Sequence, residues 1–447
     1  MVTSNLDYQE WDQRRPRHLG LSCRFVIEGL RNPRPARTYG KTLTAHILRM
    51  GIHRMDADLT EGVHRMSAAR YSAVPLILTI LFACASLVRG VLHPSLNFDL
   101  IPYSALAKEV RGAGGKNETY RELAAKVGEP SFQTFVSGAY RERLYTDDAS
   151  FEAILPFYSI RPLYILLCSV IGLLIGSDVA ATFVVSAIST ALAVILSYAI
   201  AQRIGPPAGA WRLIVPISWA VSGGLYLATL SSPDALAALI TLLFIHTSLG
   251  GRWVRGRLIR LMLLSALMVA TRTDSLVLVM ALLLCEWLFE SRHRFATVLI
   301  ALVALSSYFV IQRMSGNYGY LAILNFTLID PSHFPLPDRV PHPLGYIRML
   351  VHETIQVFGG DYESGLLLLA ASLLTVACFR AWHTSRASCD GNGVVPRSLI
   401  LSSGLLLFLI TRFMLFPAPW ARFMIPSYVL AGILFARPTE KDSAMPG

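Results

Sequence analysis

The sequence predicts an all-α polytopic membrane protein, with about 10 transmembrane helices plus one re-entrant or interfacial helix and a helical first outer loop. Three observations predict it. The 447-residue chain is 53% apolar and only 15% charged, whereas soluble chains run near one quarter charged. Its apolar residues gather into long runs, of the kind that cross a bilayer when they reach about 20 residues. Its basic residues sit mainly in the first 70 positions and in short loops between those runs, the distribution expected of loops facing anionic lipid. A soluble enzyme, a disordered chain and a secreted disulfide scaffold are thereby excluded.

Taken in order, residues 1–71 form a basic cytoplasmic segment, with Arg14, Arg15, Arg17, Arg31, Arg34, Arg37 and Lys41 among prolines and glycines. No signal peptide is visible, because the first long apolar run begins only near Tyr71. Met55 and Met66 are alternative starts, so the segment is expected to be disordered or an over-extended beginning. Apolar runs follow at about 72–92, 163–176, 179–201, 211–230, 234–249, 258–271, 274–290, 295–313, 366–382, 398–416 and 422–436. The chain divides into a transmembrane module at 72–313 that includes an outer loop at 93–161, a second outer loop at 314–365, and C-terminal transmembrane helices with a short cytoplasmic tail at 366–447.

Orientation follows from parity. A basic N-terminus inside sends 93–161 outside. If the run Leu163–Gly176 crossed, Arg203 and Arg212, then Arg252, Arg255 and Arg257, then Arg292 and Arg294, then Arg437 and Lys441 would all fall outside, against the positive-inside bias. That run is also short, in the range of re-entrant or interfacial segments. It is therefore expected not to cross, which leaves ten crossings with both termini cytoplasmic. The expected location is a bacterial inner (plasma) membrane.

This topology gathers costly polar residues on the outer face. Asp99 follows the first span, Arg161 closes the first outer loop, Asp234 follows Ser232-Pro233, and Arg272 and Asp274 sit between two runs. Arg412 and Arg422 flank the Phe416–Trp420 turn. Acids and arginines at membrane depth face a cavity or each other, so their coincidence suggests one polar site. Singly, each has a plainer role: Asp234 and Asp274 as helix caps, Arg161 and Arg422 as interfacial anchors, Asp99 as a loop acid.

The stretch Asp99-Leu-Ile-Pro-Tyr103-Ser-Ala-Leu-Ala107 resembles the Asp-x-x-x-Tyr opening of the first outer loop in the C-type (GT-C) membrane glycosyltransferases, such as lipid A aminoarabinose transferases and protein O-mannosyltransferases. Arg161-Pro162-Leu163-Tyr164, the small-residue-rich stretch Ala180 to Gly205, and Ser232-Pro233-Asp234-Ala235-Leu236 are similar to later landmarks of that family. The resemblance covers about 72–290, then fades to the segment Arg422-Phe-Met-Ile-Pro426.

The resemblance implies a GT-C-like fold and an inverting transfer of a sugar from a polyprenyl-phosphate donor to an acceptor on the non-cytoplasmic side. Asp99 would be the general base. Arg161 would meet the donor phosphate, assisted by Arg272 or Arg422. Asp234 would orient Arg161 or bind sugar hydroxyls, with Tyr103, Tyr164 and Asp274 as further substrate-binding residues. The implied partners are membrane lipid, that donor, and an acceptor that is a glycolipid, glycan or protein. Several relatives carry a second acid after the first, where this chain has Leu100; if that acid binds metal, this chain can do without one, so a divalent metal is possible but not indicated and no cofactor is certain. The phosphate-side lysine of some relatives is replaced by Arg161, and their C-terminal soluble domain has no counterpart.

Other signals carry less. The spacings of Asp330, His333, Asp338, His342, His352, Glu353 and Asp361 fit no metal-ligand pattern. His333 to Pro343 reads as a lid, and Tyr346–Phe358 as a surface helix that helps bind acceptor. Gly112–Lys116 lacks P-loop spacing. The six cysteines show no CxxC and read as reduced and structural. No nucleic-acid module is visible. Two rivals stand beside the transferase: a transporter or flippase for a lipid-linked or anionic substrate, which would show an internal repeat and mid-span polar residues, and a non-catalytic relative of the fold.

Overall fold

The structure, a computed structural model, describes residues 73–205, 209–250, 255–290, 293–329, 343–387 and 396–438. The basic segment 1–71 and all of the expected lid except Pro343 lie outside the described residues. Within them the chain is helical, without strands, and a single parallel bridge joins Ser95 to Leu230.

Helix α1 (Ala73–Leu92) is long and apolar enough to cross a membrane. It turns Ile77, Leu81, Val88 and Leu92 outward, and each is more than half exposed. At Gly90 it touches the chain behind it so closely that a Cβ there would strike the Ala228 carbonyl and the Ala187 side chain. Small residues serve this purpose in lipid, where close backbone approach replaces the hydrophobic drive between helices.

The outer loop then folds into five helices: α2 (Leu100–Val110), α3 (Lys116–Val127), α4 (Glu129–Val136), α5 (Ala139–Thr146) and α6 (Asp148–Ser159). They enclose a core of their own, with Leu100, Ile101, Leu123, Leu144, Phe151 and Ile154 at 2% exposure or less. Gly128 and Gly138, both at positive φ, and Asp147, whose carboxylate accepts from the Ala149 and Ser150 amides, separate the short helices.

Helix α7 (Pro162–Ile175) meets α6 at 107°. Pro162 starts it and Gly176, at φ 71°, ends it. Its first half lies along α2: Tyr164 packs on Tyr103, and the mid-helix carbonyl of Ser169 accepts from Arg111, just past the end of α2, at 3.1 Å. Its other side, with Leu166, Val170, Leu173 and Leu174, is exposed.

Helix α8 (Asp178–Ile204) is the long central element, buried along Ala181, Ser186, Ala187, Thr190, Ala193, Ser197 and Ala201. The run 211–230, expected as one crossing, is instead broken. A 3-10 turn leads into α9 (Ile214–Val221), and α10 (Gly224–Thr229) follows only after Gly223 at φ 84°. That glycine adopts a left-handed turn at no steric cost and ends the first helix.

The remaining helices are α11 (Asp234–Ser248), α12 (Arg255–Thr271), α13 (Ser275–Phe289), α14 (Arg294–Met314), the short α15 (Tyr320–Leu324), α16 (Pro343–Val357), α17 (Tyr362–Ala387), α18 (Arg397–Leu415) and α19 (Ile425–Ala436). Of the described helices α1, α8, α14, α17 and α18 have the length and hydropathy of full spans, while α11, α13 and α19 are apolar but shorter. Gly404 and Gly432 let α18 and α19 close onto Leu282 and Ser218.

Charges separate to the two ends of this bundle. At one end Arg397 pairs with Glu286 at 2.5 Å and Glu290 at 2.9 Å, Arg203 donates to the His246 carbonyl, and Arg380 donates to the Phe435 carbonyl. The opposite ends of the same helices carry the site.

Candidate functional site

The single bridge sets the site's geometry. Ser95 donates its amide to the Thr229 carbonyl at 2.8 Å, and the two strands of chain then run parallel. Four residues beyond the bridge, each reaches an aspartate at the start of a helix: Asp99 before α2, and Asp234 as the first residue of α11. Neither side chain caps its helix. Both are thus left for other partners.

Those partners are arginines. Arg272, at the end of α12, forms a buried ion pair with Asp234 Oδ1 and a two-point pair with Asp274, Nε to Oδ1 at 2.9 Å and Nη2 to Oδ2 at 2.8 Å. Arg412, from the last turn of α18, lies 3.7 Å from Asp274 and is 5% exposed. Arg422 spans the two halves of the site: Nη1 is 3.9 Å from Asp99 and Nε is 3.8 Å from Asp234. The remaining oxygen of Asp234 accepts from the Ser232 hydroxyl at 2.8 Å. Asp99 accepts from the Tyr158 hydroxyl at 3.1 Å.

One ring holds three of these guanidiniums. Phe423 lies 3.9 Å from Arg272, 5.4 Å from Arg412 and 4.9 Å from Arg422, measured to its centroid. The ring face attracts each cation and spaces like charges that would otherwise repel. Beneath them a small pocket opens between α11, α13, α18 and α19, with Asp234, Arg272, Asp274 and Arg422 at its charged wall and Ala237, Ala238 and Thr241 on its small-residue wall.

Arg161 is held differently. Its guanidinium donates to the Phe157 carbonyl at 2.9 Å and lies over the rings of Tyr103 and Tyr158, at 5.8 and 6.0 Å. No carboxylate comes within 4.0 Å of it among the described residues. Four arginines therefore face three aspartates here, and the cation without a partner acid is Arg161.

The sequence-derived set is thus mostly brought together, with three changes of role. Asp234 does not orient Arg161; it engages Arg272 and Arg422 instead. Tyr164 is fully buried, with its hydroxyl donating to the Thr182 carbonyl at 3.0 Å, so it stands behind the site and supports Tyr103. Tyr103 is itself 1% exposed, packed edge-on against Tyr158 and Tyr164. Arg412, noted in the sequence only as a flanking residue, joins the network; a lone arginine in the last turn of an apolar helix was the available signal.

A second cluster holds α2, and hence Asp99, in place. Lys108 pairs with Glu122 at 2.6 Å and Asp178 at 2.9 Å, and Arg111 pairs with Asp178 at 2.5 Å. Glu122 also accepts from the Ser177 hydroxyl and the Val179 amide. Burial alone pushes the Glu122 carboxyl up, but the bonds from Lys108 and Ser177 outweigh it and hold the carboxyl below its ordinary value. Burial likewise pushes Lys108 down, and its two carboxylate partners raise it above its ordinary value. Gly172 makes room for Asp178, since a Cβ there would collide with its carboxylate.

Compared with known protein families, with curated proteins and with solved structures, the chain gives no match.

Proposed function

We propose that this protein is a membrane glycosyltransferase that passes a sugar from a polyprenyl-phosphate donor to an acceptor hydroxyl, with inversion, at the non-cytoplasmic face. The observation that carries this reading is the placing of a partly exposed carboxylate, Asp99 at 25% side-chain exposure, beside a cluster of arginines in which Arg161 makes no ion pair within 4.0 Å among the described residues. A single displacement at the sugar carbon needs a base for the incoming hydroxyl and cations for the departing phosphate. Asp99 is the base, its other oxygen oriented by Tyr158. Arg161 takes the phosphate, since its planar fork makes no ion pair within 4.0 Å among the described residues. Arg422 lies between base and bundle and helps fix both. Arg272, committed to Asp234 and Asp274, positions rather than binds.

The same reading takes ten crossings, with the Arg397 and Arg203 end cytoplasmic. The short helices α11, α13 and α19 and the broken pair α9–α10 count among them. Helix α7, packed along α2, stays in the outer leaflet with Leu166, Val170, Leu173 and Leu174 in lipid. The prenyl tail needs only apolar contact, and the exposed apolar flanks of the bundle supply it. A transporter would place its polar residues near the midplane, whereas the ion pairs here gather at helix ends.

The test is turnover of a panel of polyprenyl-phosphate sugars by purified protein in lipid, wild type beside Asp99→Asn, with donor binding read in the same samples. Consumption of one donor by wild type, spared by a variant that still binds it, supports the assignment. Absence of both turnover and binding for every donor would falsify it.

A further inference from the structure

Helix α16 is amphipathic in an unusual way: it has three faces. Tyr346 and Val357 turn toward the protein; Val357 is 5% exposed, and the Tyr346 hydroxyl donates to the Met414 carbonyl at the end of α18. On a second face Ile347, Val351 and Ile355, continued by Phe358 just beyond the helix, recur at spacings of four, four and three and are each more than half exposed. That spacing is one stripe of an α-helix. A third face carries Arg348 at its border, then His352 and Gln356, all exposed.

A stripe of this kind on a soluble surface would be an association site. Its position here names a different occupant. Tyr346 ties α16 to the last turn of α18, level with Arg412, and Tyr320 donates to the neighbouring Leu415 carbonyl. The helix is followed in the chain by α17, which exposes Tyr362, Leu368 and Leu369. The stripe therefore lies beside the end of one full-length span, α18, and leads within five residues into another, α17.

We infer that α16 is an interfacial helix seated in the leaflet beside the site, with Ile347, Val351, Ile355 and Phe358 among acyl chains and Arg348 and His352 at the phosphate headgroups. Apolar residues on one side and cationic or polar residues on the other are what holds a helix in the plane of an interface. The sequence suggested that this helix helps bind acceptor; the proposal gives its exposed stripe to the bilayer. This inference depends on the bundle being membrane-embedded and not on the transfer reaction.

The experiment uses the full native chain in vesicles of phosphatidylcholine and phosphatidylglycerol, one lipid carrying a diazirine in its acyl chain. After photolysis, adducts are mapped by peptide mass spectrometry, with the exposed residues of α1 as the internal reference. The expected result is labelling of Ile347, Val351, Ile355 and Phe358 at a level within about threefold of α1, with His352 and Gln356 unlabelled. Labelling of α1 without labelling of α16 would overturn the proposal, and so would equal labelling of the stripe and the polar face. Labelling of the stripe that fades as protein per vesicle rises would assign it to a second copy of the chain, which also overturns it.

Discussion

Asp99 and Asp234 stand four residues beyond the paired residues Ser95 and Leu230, and Arg422 lies within 4 Å of both carboxylates, at 3.9 and 3.8 Å. One bridge therefore sets the spacing of two acids that are far apart in sequence, and one arginine reads it. Replacing Arg422 with Ala takes from Asp99 the arginine within 4.0 Å of it and leaves Asp234 to Arg272 alone. Turnover is expected to fall about a hundredfold, near 2.7 kcal/mol of barrier. Arg422→Lys recovers only part of this, because an ammonium cannot reach both acids in one plane. Steady-state rates on the donor found in the panel check it.

Arg272 is the structural centre of the network. Removing it with Arg272→Ala strands Asp234, whose side chain is 2% exposed, and costs about 3–5 kcal/mol, the usual result of breaking one side of a buried pair. The folded fraction recovered by size-exclusion chromatography in detergent should collapse, whereas Asp274→Asn, at a position 38% exposed, should be recovered in good yield.

Asp99→Asn is expected to retain donor binding and lose turnover by about a hundredfold or more, as removal of a general base does. Tyr158→Phe removes only the hydroxyl that orients Asp99 and should cost about tenfold at most, near one hydrogen bond. Donor affinity that falls in parallel with turnover in Asp99→Asn would move Asp99 from chemistry to binding.

The clasp of Lys108, Glu122, Asp178 and Arg111 predicts a pH window for the outer helices. The Glu122 carboxyl is held below its ordinary value, so its contribution is present above about pH 4 and lost as pH falls through the native value. Lys108 is held above its ordinary value, so its contribution is present below about pH 10 and lost as pH rises through the native value. Limited proteolysis across 93–161 should be slowest between these limits. Glu122→Gln should remove the acid-side dependence and accelerate cleavage at neutral pH, at a cost of about 2 kcal/mol for a partly buried pair.

Gly90→Leu should detach α1. No side chain fits between Gly90 and the Ala228 carbonyl, and overpacking costs about 1–3 kcal/mol even where neighbours can shift. Accelerated cross-linking or proteolysis at 93–99, with the remainder of the bundle intact, is the expected signature.

Much of the bundle was legible in the apolar runs. The run at 179–201 became α8 and that at 366–382 became α17, each lengthened by polar residues at its ends, because a helix continues past the hydrocarbon as long as its backbone bonds are satisfied. The break at Gly223 was not legible, since the residues on both sides are as apolar as a span and only the positive φ separates them. The stretch 93–161 was expected to be helical, but its division into five short helices was hidden, because its apolar residues are sparse and pair across separate helices. At the site, the coincidence of acids and arginines at helix ends was readable from parity. The Ser95–Leu230 bridge and the part played by Arg412 were not, because both depend on packing between distant segments and leave no local pattern.

Short helices carry the end of the bundle where Asp234 and Arg422 meet. Helix α11 has 15 residues and α19 has 12, giving lengths of about 22 and 18 Å at 1.5 Å per residue. A hydrocarbon layer of about 30 Å cannot lie flat against them. If both cross, as the ten-crossing proposal has it, the membrane dips there or water descends to meet the helix ends, at modest cost for each ångström of mismatch. Thickness itself thus becomes a variable of this protein: in a thin bilayer Asp234 and Arg272 lie near the surface, and in a thick one they lie at the bottom of a well.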